Sequence, residues 1–130
     1  MNNAFVTDTV ALILRLEKRK LSSKVKTIFQ KAEYGEVKLI IPAMVLAEIG
    51  YLSEKKRIDT TLEHVNDYCM KHSLIVIEPI TKEIIETTFE IDDIPELHDR
   101  IIAAAALQKG IELITNDSII SLSKYIKVIW

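Results

Sequence analysis

Four acidic residues lie at the ends of, or within, predicted strands and helices, where the backbone can fix a side chain that contacts a substrate. Asp8 and Asp117 each follow a short apolar run. Asp99 lies in the first turn of an alanine-rich segment, and Glu48 lies among apolar residues. If these carboxylates met, each close pair would repel by up to ~4 kcal/mol at an effective dielectric of 20. A divalent cation would neutralise the cluster, and all-oxygen ligands favour hard ions such as Mg²⁺ or Mn²⁺.

Two of these aspartates also have a simple structural interpretation, which the sequence leaves open. Asp8 could cap the following helix by accepting backbone amide protons. Thr9 beside it could orient a carboxylate or simply occupy the first turn. Asp99 could be only a partner of the helix dipole, an interaction worth ~0.3 to 1 kcal/mol.

The acids that precede Asp99 compete with it for a role at the start of the helix. The segment DIPE, from Asp93 to Glu96, has the spacing of a capping box and is interpreted as a helix start. Asp92 and Asp93 are therefore read as helix-entry residues. His98 is interpreted as a loop or structural histidine.

Glu48 is the hardest of the acids to explain by structure alone. It falls at helical spacing with Val45, Ile49 and Leu52, on the face that should pack against a sheet. Burying an ionised carboxylate is costly unless it is paired, protonated or bound to a metal. Glu48 could alternatively lie at the edge of this face and pair with a lysine.

Elements that alternate between strand and helix must position these acids. Five apolar runs predict strands at 4–8, 37–42, 73–79, 111–115 and 125–130. Helical patterns lie at 9–20, 22–34, 43–56, 59–72, 81–90, 97–109 and 117–123. The alternation predicts an α/β fold on a parallel sheet, whose ligands bind beyond the carboxyl ends of the strands. Gly35 and Gly110 stand where helices should end.

Length and composition restrict the class of protein. The chain has 130 residues, which suits one domain, and its formal net charge of −2 gives no general affinity for nucleic acid. The basic runs 17–20 and 54–57 are interpreted as exposed helix ends. A hydrophobic content of 48% suggests that a partner covers some surface. The single cysteine, Cys69, and the absence of a signal or membrane-spanning pattern predict a cytoplasmic protein.

Four motifs together resemble the acidic motifs of the PIN-domain ribonucleases, especially the small VapC-like toxins. They are AFVTDT, IPAMVLAEI, IPELHDRIIAAAA and LITND, in this order along essentially the whole chain, 1–130. The pair HDRIIAAAA and LITND is the most specific part.

The resemblance implies a fold, a site and an activity. The fold would be a single PIN-like domain with five parallel strands in the order 3-2-1-4-5, which brings the ends of strands 1 and 4 together. The metal-binding and catalytic acids would be Asp8, Glu48, Asp99 and Asp117, with Mg²⁺ or Mn²⁺ as cofactor. Thr115 would have a supporting role. Arg100 and Lys82 lie near the expected active edge and could contact phosphate, or each could simply be a solvated cation.

The implied activity is metal-dependent hydrolysis of RNA, by a homodimeric toxin that also binds a cognate antitoxin. The alternative is an inactive PIN-like scaffold that binds RNA or a protein partner. Two other phosphate-handling classes do not fit the sequence. A haloacid dehalogenase would have a second acid at Val10, and a response regulator would have an aspartate in place of Glu78 or Pro79.

Overall fold

A computed structural model describes residues 3–130 as alternating strands and helices. The strands are β1 (Ala4–Thr7), β2 (Lys38–Pro42), β3 (Ile75–Glu78), β4 (Glu112–Ile114) and β5 (Val128–Ile129). The helices are α1 (Thr9–Leu16), α2 (Ser23–Glu33), α3 (Ala43–Glu54), α4 (Leu62–Lys71), α5 (Lys82–Thr88), α6 (Leu97–Lys109) and α7 (Ser118–Ser121). The predicted alternation of strands and helices is confirmed.

All five strands are parallel and follow the order β3-β2-β1-β4-β5, as the resemblance implied. The central strand β1 pairs with β2 through Val6 and Ile40, and with β4 through Thr7 and Ile114. These residues are buried, because helices cover both faces of a parallel sheet. Strands β1 and β4 therefore end side by side.

Helix α6 lies close to the sheet because the side chains on its buried face are small. Residues 103–106 are four alanines, each at most 1% exposed. Helix α6 packs against β1, β4, α3 and α5. The alanine run thus allows the helix that carries Asp99 to approach the carboxyl ends of β1 and β4.

Several elements are shorter than the sequence predicts. Helix α1 was expected over 9–20 but ends at Leu16, because Lys18 adopts a left-handed backbone conformation with φ 56°. Helix α4 begins at Leu62 because Thr61 caps it, accepting a hydrogen bond from the amide of His64. The last strand, expected over 125–130, is limited to Val128–Ile129.

The expected glycine helix ends are confirmed. Gly110 is the C-cap of α6 with φ 66°, and Gly35 follows the C-cap of α2 with φ 77°. Side chains other than glycine rarely adopt this region, so both positions favour glycine.

The predicted capping box at Asp93 is wrong. Helix α6 begins only at Leu97, and Glu96 is its N-cap, accepting a hydrogen bond of 2.7 Å from the amide of Asp99. Asp93 instead accepts hydrogen bonds from the Ser123 hydroxyl and the Lys124 amide, each 2.8 Å long. The intervening proline prevents an early helix start, because it disfavours helical backbone in the residue before it.

In the part of the chain that the structure describes, no helix is long and apolar enough to cross a membrane.

Candidate active site

Asp8 and Asp117 lie at the carboxyl edge of the sheet and cap the helices that follow. Asp8 comes directly after β1 and accepts a hydrogen bond of 2.9 Å from the amide of Ala11. Asp117 follows β4 and accepts hydrogen bonds of 2.9 Å from the amides of Ile119 and Ile120. The caps hold both carboxylates at neighbouring strand ends, so the structural interpretation is confirmed for Asp8 without removing Asp8 from the candidate site.

Glu48 lies at the edge of the buried face of α3. Its neighbours Val45 and Ile49 are fully buried, whereas the Glu48 side chain is 25% exposed. The partner of Glu48 is not a lysine. The Thr9 hydroxyl donates a hydrogen bond to Glu48 Oε1, and His98 Nδ1 lies 3.7 Å from Oε2. Thr9 therefore orients a carboxylate, one of the two roles that the sequence left open.

The two most perturbed carboxyl groups of the site are Asp8 and Asp99. The pKa of Asp8 is raised to about 6, mainly by burial. Hydrogen bonds with Thr115 and Ala11 oppose the rise, and the charges of Asp117 and Glu48 contribute to it. A carboxyl group with such a pKa resists ionisation unless a positive charge compensates it.

The same is true of Asp99, in the first turn of α6. Burial raises its pKa to about 6, and the carboxylate of Glu96 adds to the effect, followed by those of Asp117, Glu48 and Asp8. The four candidate acids are therefore close enough to influence one another electrostatically. Perturbed carboxyl groups of this kind are concentrated at functional sites.

One cavity of about 210 Å³ contains all four candidate acids. Its wall consists of Asp8, Thr9, Val10, Glu48, Leu52, Asp99, Ile102, Asn116, Asp117 and Ile120. The apolar members lower the local dielectric, which strengthens both the repulsion between carboxylates and the attraction of a cation. The fold thus brings together every acid that the sequence analysis selected.

The donor set fits a hard divalent cation in its chemistry. Carboxylates of one cavity, two of them with raised pKa values, supply the oxygen ligands and the excess negative charge that Mg²⁺ or Mn²⁺ requires. Among residues 3–130, however, no three His, Cys, Asp or Glu side chains converge closely enough to form a complete ligand set.

The supporting threonine Thr115 lies within the site. It is fully buried, its hydroxyl accepts a hydrogen bond of 3.1 Å from the amide of Asp117, and it hydrogen-bonds the carboxyl group of Asp8. Thr115 therefore links the ends of β1 and β4 directly.

The two candidate phosphate contacts lie outside the wall of the acidic cavity. Arg100 Nε donates to the carbonyl of Ile94 over 2.7 Å, and its guanidinium lies 5.9 Å from the centre of the Phe89 ring. Lys82 is 82% exposed at the start of α5 and pairs with Glu86 over 3.4 Å. These contacts are structural, and the role of both cations in substrate binding stays a prediction.

His98 is nearer the site than the sequence analysis expected. It lies in the first turn of α6, 53% exposed, with Nδ1 3.7 Å from Glu48 and 3.8 Å from Glu96. In the sequence, only its position next to Asp99 indicated that His98 could lie near the site. Only the packing of α3 against α6 reveals that His98 faces Glu48.

The comparisons with known proteins define the class. The chain matches the family model of the PIN domain over residues 5–124 and therefore belongs to the PIN-domain family. No curated protein matches the sequence.

Solved structures agree with this assignment. A chain of VapBC2 from Rickettsia felis, bound to a DNA fragment from their promoter, has a TM-score of 0.72 at 15% identity, with 98% of each chain covered. DNA-bound VapBC from Salmonella typhimurium has a TM-score of 0.71 at 18% identity, covering 99% of this chain and 98% of that chain. VapC20 from Mycobacterium tuberculosis, a sarcin–ricin loop cleaving toxin, has a TM-score of 0.65 at 16% identity, covering 95% and 98%. This likeness shows a common fold, and the expected resemblance to VapC toxins is confirmed at that level.

Proposed function

We propose that the protein is a metal-dependent endoribonuclease that hydrolyses RNA phosphodiester bonds. The observation that carries the proposal is the gathering of Asp8, Glu48, Asp99 and Asp117 in one cavity at the carboxyl edge of the sheet. Membership of the PIN-domain family and the fold shared with an RNA-cleaving toxin support the choice of reaction. The proposed ligands of Mg²⁺ or Mn²⁺ are these four carboxylates.

The bound cation would activate a water molecule and stabilise the charge that develops on the leaving oxygen. The chain's own residues hold the carboxylates for this task. Thr9 fixes one oxygen of Glu48, and Thr115 holds Asp8 beside Asp117. Such supporting hydrogen bonds restrict the orientation of carboxylates that bind a metal. Either Glu48 or Asp99 would orient or deprotonate this water.

Partners follow from the fold by analogy. The similar chains come from VapBC and FitAB assemblies, so we propose a cognate antitoxin as partner of this chain. We also propose a homodimer, since large apolar side chains such as Met70, Phe89 and Leu122 are at least 66% exposed. A cytoplasmic location is proposed separately, from the sequence features described above. The alternative, an inactive scaffold, would keep the fold without needing four acids in one cavity.

Cleavage of a mixed RNA pool tests the proposal. The parent protein should produce discrete fragments with Mn²⁺ or Mg²⁺ and none with excess EDTA. Asp8→Asn and Asp99→Asn should abolish cleavage while remaining folded by circular dichroism. Asp92→Asn removes an exposed acid that does not line the cavity and should retain activity. Full activity of the parent in EDTA would exclude the proposed mechanism, and no cleavage under any condition would favour the scaffold.

A further inference from the structure

Two basic runs that are far apart in sequence form one surface. The runs 17–20 and 54–57 end α1 and α3, which pack against each other. Glu17 ties them together by accepting hydrogen bonds from the amides of Asp59 and Thr60, 3.1 and 3.0 Å long, and from the Thr60 hydroxyl over 2.8 Å. The positive charges of both runs therefore lie at one end of the molecule.

This surface lines two adjoining cavities that share Arg19. The smaller, about 330 Å³, includes Arg19, Lys56 and Arg57, and the larger, about 790 Å³, includes Lys18, Arg19 and Lys20. We call these five residues the basic cluster. In a chain with a net charge of −2, such a cluster is a local departure from the average surface.

Most cations of the basic cluster have no acidic partner. Arg19 lies 3.6 Å from Glu17, the carboxylate already engaged by Asp59 and Thr60. Within residues 3–130, Lys18, Lys20, Lys56 and Arg57 form no salt bridge. Exposed Glu54 and Asp59 lie in the same segments without pairing to them. By contrast, Arg15 at the wall of the larger cavity is neutralised by Glu33 over 2.7 Å.

Two of these lysines occupy backbone positions that favour glycine. Lys18 follows α1 with φ 56°, and Lys56 follows α3 with φ 57°. The same backbone hydrogen-bond pattern ends both helices. The amide of Arg19 donates to the carbonyl of Leu14, and the amide of Arg57 donates to the carbonyl of Leu52. A side chain in this left-handed position is unfavourable, and backbone strain of this kind is concentrated at functional sites. Two lysines of the basic cluster therefore occupy positions where glycine would be less strained.

Helix α3 connects the basic cluster to the acidic cavity. Tyr51 lies one turn beyond Glu48 and is 57% exposed, and Lys55 one turn further places its ammonium 5.5 Å from the centre of the Tyr51 ring. Glu48 and the C-cap Lys55 are seven positions apart, which corresponds to about 10 Å along the helix axis. An exposed aromatic ring beside a cation is a platform on which nucleic-acid bases stack, and binding of an acidic peptide does not require it.

We propose that the basic cluster and Tyr51 bind the backbone and a base of single-stranded RNA that extends from the acidic cavity along α3. This inference rests on the proposed nuclease function. The carboxylates of the cavity repel an RNA strand, so affinity must come from cations beside it. Lys18, Lys56 and their neighbours supply this attraction within reach of the reacting bond.

Binding of a fluorescently labelled single-stranded RNA in EDTA tests the proposal without cleavage. The double variant Lys18→Gly/Lys56→Gly should weaken binding on the order of tenfold, because it removes two phosphate contacts. The slope of log affinity against log salt concentration should fall by about 1.4, at roughly 0.7 per phosphate on a single strand. Glycine suits both backbone positions, so the thermal melt of this variant should not decrease.

A matched control removes the same charge from two lysines that line neither basic cavity. Lys38 begins β2 and Lys127 immediately precedes β5, and both are exposed. Lys38→Gln/Lys127→Gln should keep the affinity and the salt slope of the parent. Equal losses in the two double variants would mean that only net charge matters, and the proposal would be wrong. Tyr51→Leu should weaken RNA binding without changing the salt slope.

Cleavage with Mn²⁺ separates this inference from the proposed function. In an active nuclease, Lys18→Gly/Lys56→Gly should raise KM for long RNA with little change in kcat. Cleavage with unchanged KM and unchanged RNA affinity would overturn the inference and leave the nuclease intact. If the protein cleaves no RNA but its RNA binding still depends on the basic cluster, the proposed nuclease function would be wrong and the proposed RNA-binding surface would stand. Loss of affinity for polyglutamate but not for RNA would assign the cluster to an acidic protein partner.

Discussion

Asp8 and Asp117 show how one residue can serve both the fold and the chemistry. Each accepts backbone amides of the helix that follows it, yet each also faces other carboxylates in the cavity. The amides fix the positions of the carboxylates before any ligand arrives. Sequence analysis could treat capping and metal binding only as alternatives, because it cannot show which strand ends are neighbours.

Removing one site acid should distinguish a shared metal site from independent caps. Without metal, Glu48→Gln should leave the stability of the fold unchanged or increase it. The substitution removes a negative charge that repels the carboxylates of Asp8 and Asp99. The stabilisation of the parent by Mn²⁺, about 2.7 kcal/mol at a hundredfold excess over the dissociation constant, should shrink in this variant and in Asp117→Asn. Thermal melts in EDTA and in Mn²⁺ measure both effects. Equal metal-induced shifts in all three proteins would contradict the assignment of these acids to one site.

Thr9 offers a test of carboxylate positioning. Thr9→Val keeps the shape of the side chain but removes the hydroxyl that donates to Glu48. Loss of a supporting hydrogen bond at a metal site typically costs about 10- to 100-fold in activity or metal affinity. We expect that loss in Mn²⁺-dependent cleavage, with recovery in Thr9→Ser, which restores the donor. Unchanged activity of Thr9→Val would assign Thr9 to packing alone.

The helix ends are where sequence and structure differ most. The helical pattern of 9–20 continues past Leu16 because LEKRK has good helix formers throughout. In the structure Lys18 takes a left-handed conformation just after α1, and Glu17 accepts hydrogen bonds from the amides of Asp59 and Thr60. A contact over 42 residues of sequence leaves no local signal. Gly110 was predictable because its local conformation alone favours glycine.

Substitutions at two left-handed positions should have opposite effects on stability. Gly110→Ala places a side chain at φ 66° and should destabilise the fold by roughly 1 kcal/mol. Lys18→Gly relieves the same strain but removes a cation from the C-terminal end of α1, so stability should be unchanged or higher by up to about 1 kcal/mol. Urea denaturation of both variants at neutral pH checks the signs. A marked loss in Lys18→Gly would mean that the helix-dipole contribution outweighs the strain.

At the scale of the whole molecule, the parallel α/β architecture was predictable and the convergence of the acids was not. Continuous apolar runs followed by helices identify buried parallel strands whatever their order. Placing β4 beside β1 required the family resemblance, and this adjacency brings Asp117 to Asp8. The surroundings of Arg100 could not be read from sequence, because its main contact is a backbone carbonyl in an irregular loop.

The pH dependence of stability tests the electrostatics of the whole domain. Between about pH 4 and 6 the folded protein retains protons on Asp8 and Asp99 that the unfolded chain has released, because the folded pKa values are about 6. Stability of the metal-free protein should therefore fall as pH rises through this window, at a cost of roughly 3 kcal/mol for buried Asp8.

Acids outside the site act in the opposite direction. Although burial opposes it, hydrogen bonds from Arg15 and Tyr68 lower the pKa of Glu33, so its contribution is lost as pH falls through that lowered pKa. Metal-free stability should thus be greatest near pH 4, at the lower end of this window, as urea denaturation in EDTA would show. Mn²⁺ should flatten the decline above about pH 4, since metal binding favours deprotonated ligands. The variant Asp8→Asn should show a smaller decline in EDTA. If Asp8→Asn loses stability with rising pH as steeply as the parent, the pKa of Asp8 is not raised in the way that its burial and its acidic neighbours require.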